Sequence, residues 1–237
     1  MISNSKHRRW VANYFKGKVE EFHHHLNAIV ETCDESLRLY SEGSQQTNGL
    51  GRALIYSFSS FSNTIQTLKD SGSAFLEPKI EWSDIQSLRH GAFFHLSRNA
   101  ATHDGNPIIS AWADGRYYIP ADIVRFDDWG KLRTIPAPTL DVRTFCLEFS
   151  SDMCIFFKLR LQSADGDADL QGSAFEIDDF EPFIKSNVVP EFAKQLLAEN
   201  IDQIRTNLAS YDHDPIAPAM QQFDTLSAYC NSKLTGA

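Results

Sequence analysis

The sequence predicts a mainly α-helical fold, an antiparallel helical bundle with a small β-hairpin and a helical C-terminal extension. Apolar residues recur every three or four positions over several long segments, which is the period of an amphipathic helix. Short polar connections separate the first three segments, and such connections favour antiparallel neighbours in a bundle. With 237 residues, 42% of them hydrophobic, the chain is long enough to bury a substantial core.

Four core helices are predicted. The first spans residues 8–40 and ends before a Ser-Glu-Gly-Ser segment, and the second spans about 50–70 and stops before a Ser-Gly-Ser segment. The third begins near Trp82 and continues without a break to the segment 98–103. The fourth spans about 140–162. Each carries an apolar stripe that predicts one buried face.

A β-hairpin is predicted at about 108–119, where two apolar runs flank Asp114-Gly115. An Asp-Gly pair supplies the positive φ angles that a tight hairpin turn requires. The following segment, 120–139, contains three prolines and is predicted to be an irregular connection.

The C-terminal part is predicted to be a separate acidic extension, residues 164–237, packed on a bundle formed by residues 1–163. Helices fit residues 182–208, with a possible interruption at Val189-Pro190, and 215–234. The first of these helices carries an apolar stripe that we expect to pack on the bundle. The stripe consists of Val188, Val189, Phe192, Leu196, Leu197, Ile201, Ile204 and Leu208.

The charge of the chain is unevenly distributed. Residues 1–163 contain 18 acidic and 18 basic side chains, whereas residues 164–237 contain 13 acidic and 4 basic ones, a difference that accounts for the whole net charge of −9. A generic nucleic-acid binder has the opposite, basic character. The sequence therefore argues against charge-driven binding by the whole molecule but allows a local site. The candidate cations are Arg98, Arg116, Arg125, Lys131 and Arg133.

The segment Arg98-Asn99-Ala100-Ala101-Thr102-His103-Asp104-Gly105 combines a permanent cation, an amide and a titratable imidazole at the end of an apolar helix. These groups suit phosphodiester chemistry: an imidazole can move a proton, and a guanidinium can stabilise the charge that develops on phosphorus oxygens. A second Arg and His pairing, Arg89 with His95, has a similar spacing but lacks the Asn after the Arg.

The Arg-x4-His motif, with its polar residue after the Arg, resembles the signature of the HEPN superfamily of small all-α domains. The resemblance covers the motif and its helical surroundings, about residues 50–160. It implies a metal-independent endoribonuclease of the toxin–antitoxin or defence type that acts as a homodimer. His103 would be the general acid or base, Arg98 would stabilise the phosphorane, and Asn99 would orient His103 or bind phosphate. His95 and Asp104 would support the site.

Helical geometry favours the dimer. Arg98 and His103 lie about 140° apart around a continuous helix, so one chain does not bring them to one phosphate unless the helix unwinds near Thr102. Aromatic and basic residues of the predicted hairpin are candidates for RNA binding: Trp112, Arg116, Tyr117 and Tyr118.

Two other functions stay open. The chain is alternatively a non-catalytic HEPN-like module that binds nucleotides or another protein, such as an antitoxin. It is otherwise an unrelated helical protein with an accidental motif.

No metal or cofactor is expected. His23-His24-His25 occupies successive helical positions, which point about 100° apart and cannot share one ion. Asp165, Asp167, Asp169 and Glu176 copy the spacing of an EF-hand loop, but Leu170 stands where that loop needs Gly. The four cysteines form no CxxC pair, and no apolar run approaches a membrane-spanning length. The sequence therefore predicts a cytoplasmic protein with no membrane association.

Overall fold

The computed structural model describes residues 4–44, 48–104, 108–126, 129–211 and 213–235, with only the backbone described at 48, 99, 101–104, 181 and 183. The fold is mainly helical with two small antiparallel hairpins, which confirms the predicted class. The elements are α1 (Asn4–Ser41), α2 (Asn48–Phe75), α3 (Trp82–Gln86), α4 (Gly91–Asp104), β1 (Ala111–Ala113), β2 (Arg116–Tyr118), β3 (Ile123–Phe126), β4 (Leu132–Ile135), α5 (Val142–Gln162), a 3-10 turn (Ile177–Phe180), α6 (Glu181–Ile184), α7 (Glu191–Ala209) and α8 (Ile216–Thr235).

Phenylalanine contacts show how the long helices run. The ring of Phe15 lies 5.1 Å from that of Phe75, and the ring of Phe22 lies 4.8 Å from that of Phe61, measured between centroids. Positions early in α1 therefore meet positions late in α2, and the two helices are antiparallel. All four rings are fully or almost fully buried, so each contributes a large apolar area to the core.

Helix α8 belongs to this core. Phe223 stacks on Phe157 of α5 with ring centroids 5.4 Å apart and planes 7° apart. Phe223 also contacts Phe15 of α1. Leu226 and Cys230 of α8 are likewise fully buried. The last helix of the predicted extension is therefore a structural member of the bundle, with α1, α2 and α5.

The third predicted helix is broken, contrary to the sequence-based expectation. Helix α3 ends at Gln86 and α4 begins at Gly91, and between them His90 adopts a positive φ of 63°. A side chain at Gly91 would place its Cβ 1.8 Å from the carbonyl oxygen of Ile85, so only glycine fits. A helical pattern in the sequence does not reveal this break, because apolar residues continue at helical spacing on both sides of it.

Contacts with α5 hold the break in place. The side chain of Arg89 pairs with Asp152 (Nη2 to Oδ1, 3.0 Å) and with Glu148 (Nη1 to Oε1, 3.1 Å). The imidazole Nε2 of His90 lies 2.8 Å from Oε2 of Glu148. Below the turn, Phe94 of α4 packs on Phe149 of α5 with ring centroids 4.3 Å apart. We call residues 87–91 the α3–α4 elbow.

The first hairpin matches its prediction. Strands β1 and β2 pair with Ala111 opposite Tyr118, and the turn residues Asp114 and Gly115 have φ angles of 50° and 78°. The prediction for 120–139 is wrong: the segment contains a second hairpin, in which β3 pairs with β4 and Val124 stands opposite Thr134. The three prolines flank these strands and interrupt neither, so they do not prevent the pairing.

Helix α7 lies outside the core. The sequence predicts that its apolar stripe packs on the bundle, whereas α7 has no buried residue and Phe192 is 74% exposed. Part of the stripe instead faces the preceding 3-10 turn and α6, where Ile177, Ile184, Leu197 and Ile204 line a groove of about 380 Å³. None of the helices in the described ranges is long and apolar enough to cross a bilayer.

Replacing Gly91 with Ala should lower the free energy of unfolding by about 3 kcal/mol or more, because the added methyl collides with backbone at the elbow. Gly17 is the matched control: it lies inside α1, is exposed, and has nothing within 4 Å of the point that a Cβ would occupy. Gly17→Ala should raise stability by about 0.5–1 kcal/mol through helix propensity. Urea unfolding followed by circular dichroism measures both; equal effects would contradict the elbow geometry.

Exposed and buried phenylalanines should differ sharply in their contribution to stability. Phe192→Ser with Leu196→Ser on α7 should change the free energy of unfolding by no more than about 0.5 kcal/mol, the usual range for surface substitutions. Phe223→Ala on α8 should cost about 3–5 kcal/mol because it leaves a cavity between α1 and α5. Thermal unfolding of the purified full chain checks both, and a large loss in the α7 variant would mean that α7 packs on the bundle.

Candidate functional site

The candidate site is formed by side chains of α2, α3 and α4. His95 stacks on Trp82 of α3, with ring centroids 4.1 Å apart and planes 16° apart. Nε2 of Gln86 lies 2.5 Å from Nδ1 of the same imidazole. An amide N–H can only donate, so Nδ1 accepts and the neutral ring carries its proton on Nε2. His95 is therefore fixed in orientation and in tautomer by Trp82 and Gln86 of α3.

Two cations surround this imidazole. Burial lowers the pKa of His95 below its ordinary value of 6.5, and the positive charges of Arg98 and then Lys69 lower it further. Lys69 extends from α2, with its Nζ 5.8 Å from the centroid of Trp82 and 2.9 Å from Oδ1 of Asp70. The result is a neutral imidazole donor at pH 7 beside two permanent positive charges. We call Lys69, Trp82, Gln86, His95 and Arg98 the α4 site.

An unsatisfied acceptor lies on the same part of α2. Gln66 occupies the position one turn before Lys69, and its amide nitrogen donates to Asp70 (3.1 Å). Its Oε1 is buried, and no donor reaches it within the part of the chain that the structure describes. A buried acceptor without a donor is costly, so this atom suits a ligand that brings a hydroxyl or an N–H.

The geometry of α4 separates the residues of the motif. The helix continues to Asp104, so it does not unwind near Thr102. His95 precedes Arg98 by three residues, which places the two about 60° apart on one face, whereas His103 lies about 140° from Arg98. The side chains of Asn99, His103 and Asp104 lie outside the described residues. Within one chain, the structure thus brings Arg98 together with His95.

The alternative pairing of Arg89 with His95 does not form. Arg89 lies at the elbow and is bound to Glu148 and Asp152 on α5, while His95 points toward Trp82 and Gln86. Both carboxylates use their two oxygens on Arg89, His90 or the backbone N–H of Arg89. This cluster therefore has a structural role: it holds the α3–α4 elbow against α5.

The first hairpin uses its aromatic residues for packing. The indole N–H of Trp112 donates to Oγ of Ser36 on α1 (3.0 Å), and Tyr117 is only 4% exposed. Arg116 lies 3.4 Å from Asp141, and Tyr118 is half-buried. Of the predicted RNA-binding residues, Tyr117 in particular lacks a surface on which a base could stack.

Other clusters named in the sequence have structural partners. Asp167 pairs with Arg8 (3.0 Å), and Glu176 pairs with Lys6 (3.1 Å), so the EF-hand-like carboxylates tie the acidic segment to α1. The ring of His23 contacts Tyr229, and the rings of His24 and His25 contact each other. Within the described ranges, no three potential ligands cluster around a metal position. All four cysteines are buried free thiols, and burial raises their pKa.

Sequence reasoning named Arg98 and His95 but missed Lys69, Trp82 and Gln86. Lys69 comes from α2, and the elbow brings Trp82 and Gln86 of α3 back against α4. It also missed the second hairpin, although Ile123, Arg125 and Ile135 alternate with residues of the other face as strands do. The chain matches no known family model, and no curated protein or solved structure is detectably similar to it.

The imidazole of His95 should titrate below 6.5 when followed by NMR of the ring nitrogens. Lys69→Gln or Arg98→Gln should raise this pKa, because each removes a positive charge that opposes protonation, yet burial should keep it below 6.5. Lys79→Gln, an exposed lysine that does not contribute to the shift, should leave it unchanged. A pKa above 6.5 in the wild type, or one insensitive to Lys69 and Arg98, would contradict the α4 site.

Proposed function

We propose that this chain is a HEPN-like, metal-independent endoribonuclease of the toxin or defence type, acting as a homodimer. The observation that carries the proposal is the α4 site, in which a neutral, oriented imidazole lies beside Arg98 and Lys69. Two cations and an N–H donor fit a phosphodiester, whose negative charge increases in the transition state of cleavage. The Arg-x4-His motif of the HEPN resemblance begins at this same Arg98.

The described contacts support a different catalytic role for each residue of the α4 site. Because Nδ1 of His95 accepts from Gln86, its Nε2–H is available to donate to a phosphate oxygen. Arg98 and Lys69 would stabilise the charge of the phosphorane. The ribose 2′-hydroxyl must lose a proton and the departing 5′-oxygen must gain one, and His103 is the candidate that would take the first proton and return it to the 5′-oxygen. Attack of the 2′-oxygen on phosphorus would break the bond to the 5′-oxygen and leave a 2′,3′-cyclic phosphate and a 5′-hydroxyl.

A dimer solves the separation of Arg98 and His103 around α4. An isologous interface near residues 95–104 would place His103 of one protomer opposite Arg98 of its partner and repeat the arrangement across the two-fold axis. Asn99 shares a face with His103 at the i, i+4 spacing and would orient it, with Asp104 as a further candidate to set its tautomer.

RNA cleavage should survive EDTA and yield a cyclic phosphate. His103→Ala should lower the rate by about 10²–10⁴, the usual effect of losing a positioned proton-transfer group, and Arg98→Ala should also abolish most activity. His24→Ala, an exposed histidine on α1, is the matched control and should leave the rate unchanged. Cleavage of a labelled RNA by each full-length variant, with folding checked by circular dichroism, measures these effects.

Mixing variants tests the composite site. Co-expressed Arg98→Ala and His103→Ala chains should recover activity, because their mixed dimer contains one intact Arg98 and His103 pair from opposite protomers. Arg98→Ala mixed with His95→Ala should not recover it, since His95 and Arg98 act from the same chain. Activity that requires added Mg²⁺ would contradict the metal-independent mechanism. A protein that sediments as a monomer at micromolar concentration would contradict the composite site.

A second candidate function is a non-catalytic HEPN-like module. The observation that favours it is the fixation of His95 by Trp82 and Gln86, which suits binding of a nucleotide phosphate better than proton shuttling. Such a module would bind RNA at the α4 site and leave it intact, and an antitoxin or another protein would be its partner. Binding without cleavage in the same assay distinguishes the two.

A further inference from the structure

A cavity of about 470 Å³ lies between the start of α1, the acidic segment before α7 and the end of α7. Its walls come from Arg9, from the segment 171–178 and from the segment 205–211. The volume falls within the range of about 300–1,000 Å³ that is typical of pockets for small molecules. The α4 site uses other elements, α2, α3 and α4. The cavity is thus large enough for a small ligand and separate from the α4 site.

Aromatic and apolar side chains form one part of the cavity wall. Phe175 is half-buried, and its ring centroid lies 6.1 Å from that of Trp10 and 6.1 Å from that of Tyr14, both on α1. Tyr211 lies beyond the end of α7 and is 54% exposed, and Leu208 of α7 is half-buried. A ligand with a flat apolar body would cover these side chains and remove apolar surface from water.

The charged side chains of the cavity balance each other. Two guanidinium groups and two carboxylates line it: Arg9, Arg205, Glu176 and Asp178. Glu176 is already paired with Lys6 of α1 (3.1 Å), and Arg205 lies 3.5 Å from Asp202. With equal numbers of positive and negative groups in its lining, the cavity favours neither a ligand of net negative charge nor one of net positive charge.

Arg9 and Asp178 keep most of their capacity to bind a ligand. Nε of Arg9 donates to the carbonyl oxygen of Asp169 (3.3 Å), and its two terminal nitrogens have no partner in the part of the chain that the structure describes. The side chain of Asp178 is 80% exposed, and its 3.6 Å contact with Arg205 is longer than a hydrogen bond. A ligand carboxylate can bind the fork of Arg9, and a ligand ammonium can bind Asp178.

We propose that this cavity binds a small aromatic zwitterion, an amino acid or a short peptide. Its carboxylate binds Arg9, its ammonium binds Asp178, and its ring packs against Phe175 and Tyr211. Such a molecule uses the cation, the anion and the apolar wall together. A mononucleotide fits less well, because its phosphate would bring negative charge beside Glu176 and Asp178. The inference does not depend on the proposed nuclease activity.

Isothermal titration calorimetry of the full chain tests the proposal with two zwitterions, L-phenylalanine and L-leucyl-L-phenylalanine. At least one of them should bind, and the preferred one identifies the source, because the dipeptide separates its two charges further than the amino acid does. Two analogues that each lack one charge, 3-phenylpropionate and 2-phenylethylamine, should bind at least about fivefold more weakly than the preferred zwitterion.

Charge variants assign each end of the ligand. Arg9→Gln should raise the Kd of the preferred zwitterion about tenfold, since it removes a charged hydrogen-bonding group, but should leave that of 2-phenylethylamine unchanged. Asp178→Asn should raise the Kd of the zwitterion about threefold to fivefold, because this carboxylate is exposed, and should not weaken binding of 3-phenylpropionate. The matched controls, Arg52→Gln on α2 and Glu199→Gln on α7, replace exposed residues outside the cavity and should have no effect.

An aromatic variant tests the apolar wall. Tyr211→Ala should raise the Kd of the preferred zwitterion about tenfold, because the ligand ring loses a packing partner. Tyr56→Ala on α2 removes an aromatic ring that is 68% exposed and lies outside the cavity, and it should leave the Kd unchanged. Both variants should keep the wild-type unfolding temperature, since each removes an exposed side chain.

Each contrary outcome overturns a stated part of the proposal. Failure of both zwitterions to bind the wild type would overturn it entirely. Binding of 3-phenylpropionate or AMP as tight as that of the preferred zwitterion would replace the zwitterion site with an anion site. An Arg9→Gln variant that weakens 2-phenylethylamine as much as the zwitterion would overturn the assignment of the carboxylate to Arg9. None of these measurements involves RNA, so the proposed nuclease stands or falls separately.

Discussion

The pairing of the α3–α4 elbow with α5 is the contact on which the candidate site depends. Glu148 and Asp152 hold Arg89 and His90, and this fixes the direction in which α4 leaves the turn. If α3 and α4 formed one helix, Trp82 and His95 would lie almost 20 Å apart along its axis, at about 1.5 Å per residue. Folding back at the elbow instead stacks them 4.1 Å apart. A left-handed residue and an obligatory glycine are the local cost of bringing them together.

Electrostatics at the α4 site and in the acidic segment complement each other. Partial burial, and then the positive charges of Arg98 and Lys69, lower the pKa of His95 and keep its imidazole neutral at pH 7. The cations of α1 are used elsewhere: Lys6 and Arg8 pair with Glu176, Asp179 and Asp167 of the acidic segment. Part of the negative charge before α7 is therefore neutralised locally, at the N-terminal end of α1. Lys69 of α2 and Arg98 of α4 take no part in these pairs and lie beside His95.

The C-terminal third divides into two parts with different roles. Helix α8 completes the core through Phe223, whose ring contacts both Phe15 and Phe157. Helix α7 stays on the surface, where part of its apolar stripe lines a groove with the short elements before it. The stability of the core therefore depends on α8 and not on α7, although the two helices have similar lengths and apolar content. Truncation before α8 would remove one helix of the bundle. Helix α7 buries no residue and contributes nothing to this core packing.

The sequence by itself determined the mainly α class, the long helices, the Asp-Gly hairpin and the identity of Arg98 and His95 as residues of interest. These follow from short-range rules: periodicity of three to four, turn residues with positive φ, and the charge and proton chemistry of single side chains. Such rules act over a few residues, so they hold whichever part of the chain the segment packs against.

Only the tertiary structure decided where the third helix breaks, that residues 123–135 form a second hairpin, and which apolar stripe of the C-terminal part is buried. The helix break and the choice of buried stripe each depend on a contact between residues far apart in the chain, such as Arg89 with Asp152 or Phe223 with Phe15. The second hairpin is local, but burial of Ile123 and Ile135 in the core fixes its base. The stripes of α7 and α8 show the reason plainly. Both have the periodicity of a buried face, but α8 buries Phe223, Leu226 and Cys230 against other helices, whereas no residue of α7 is buried.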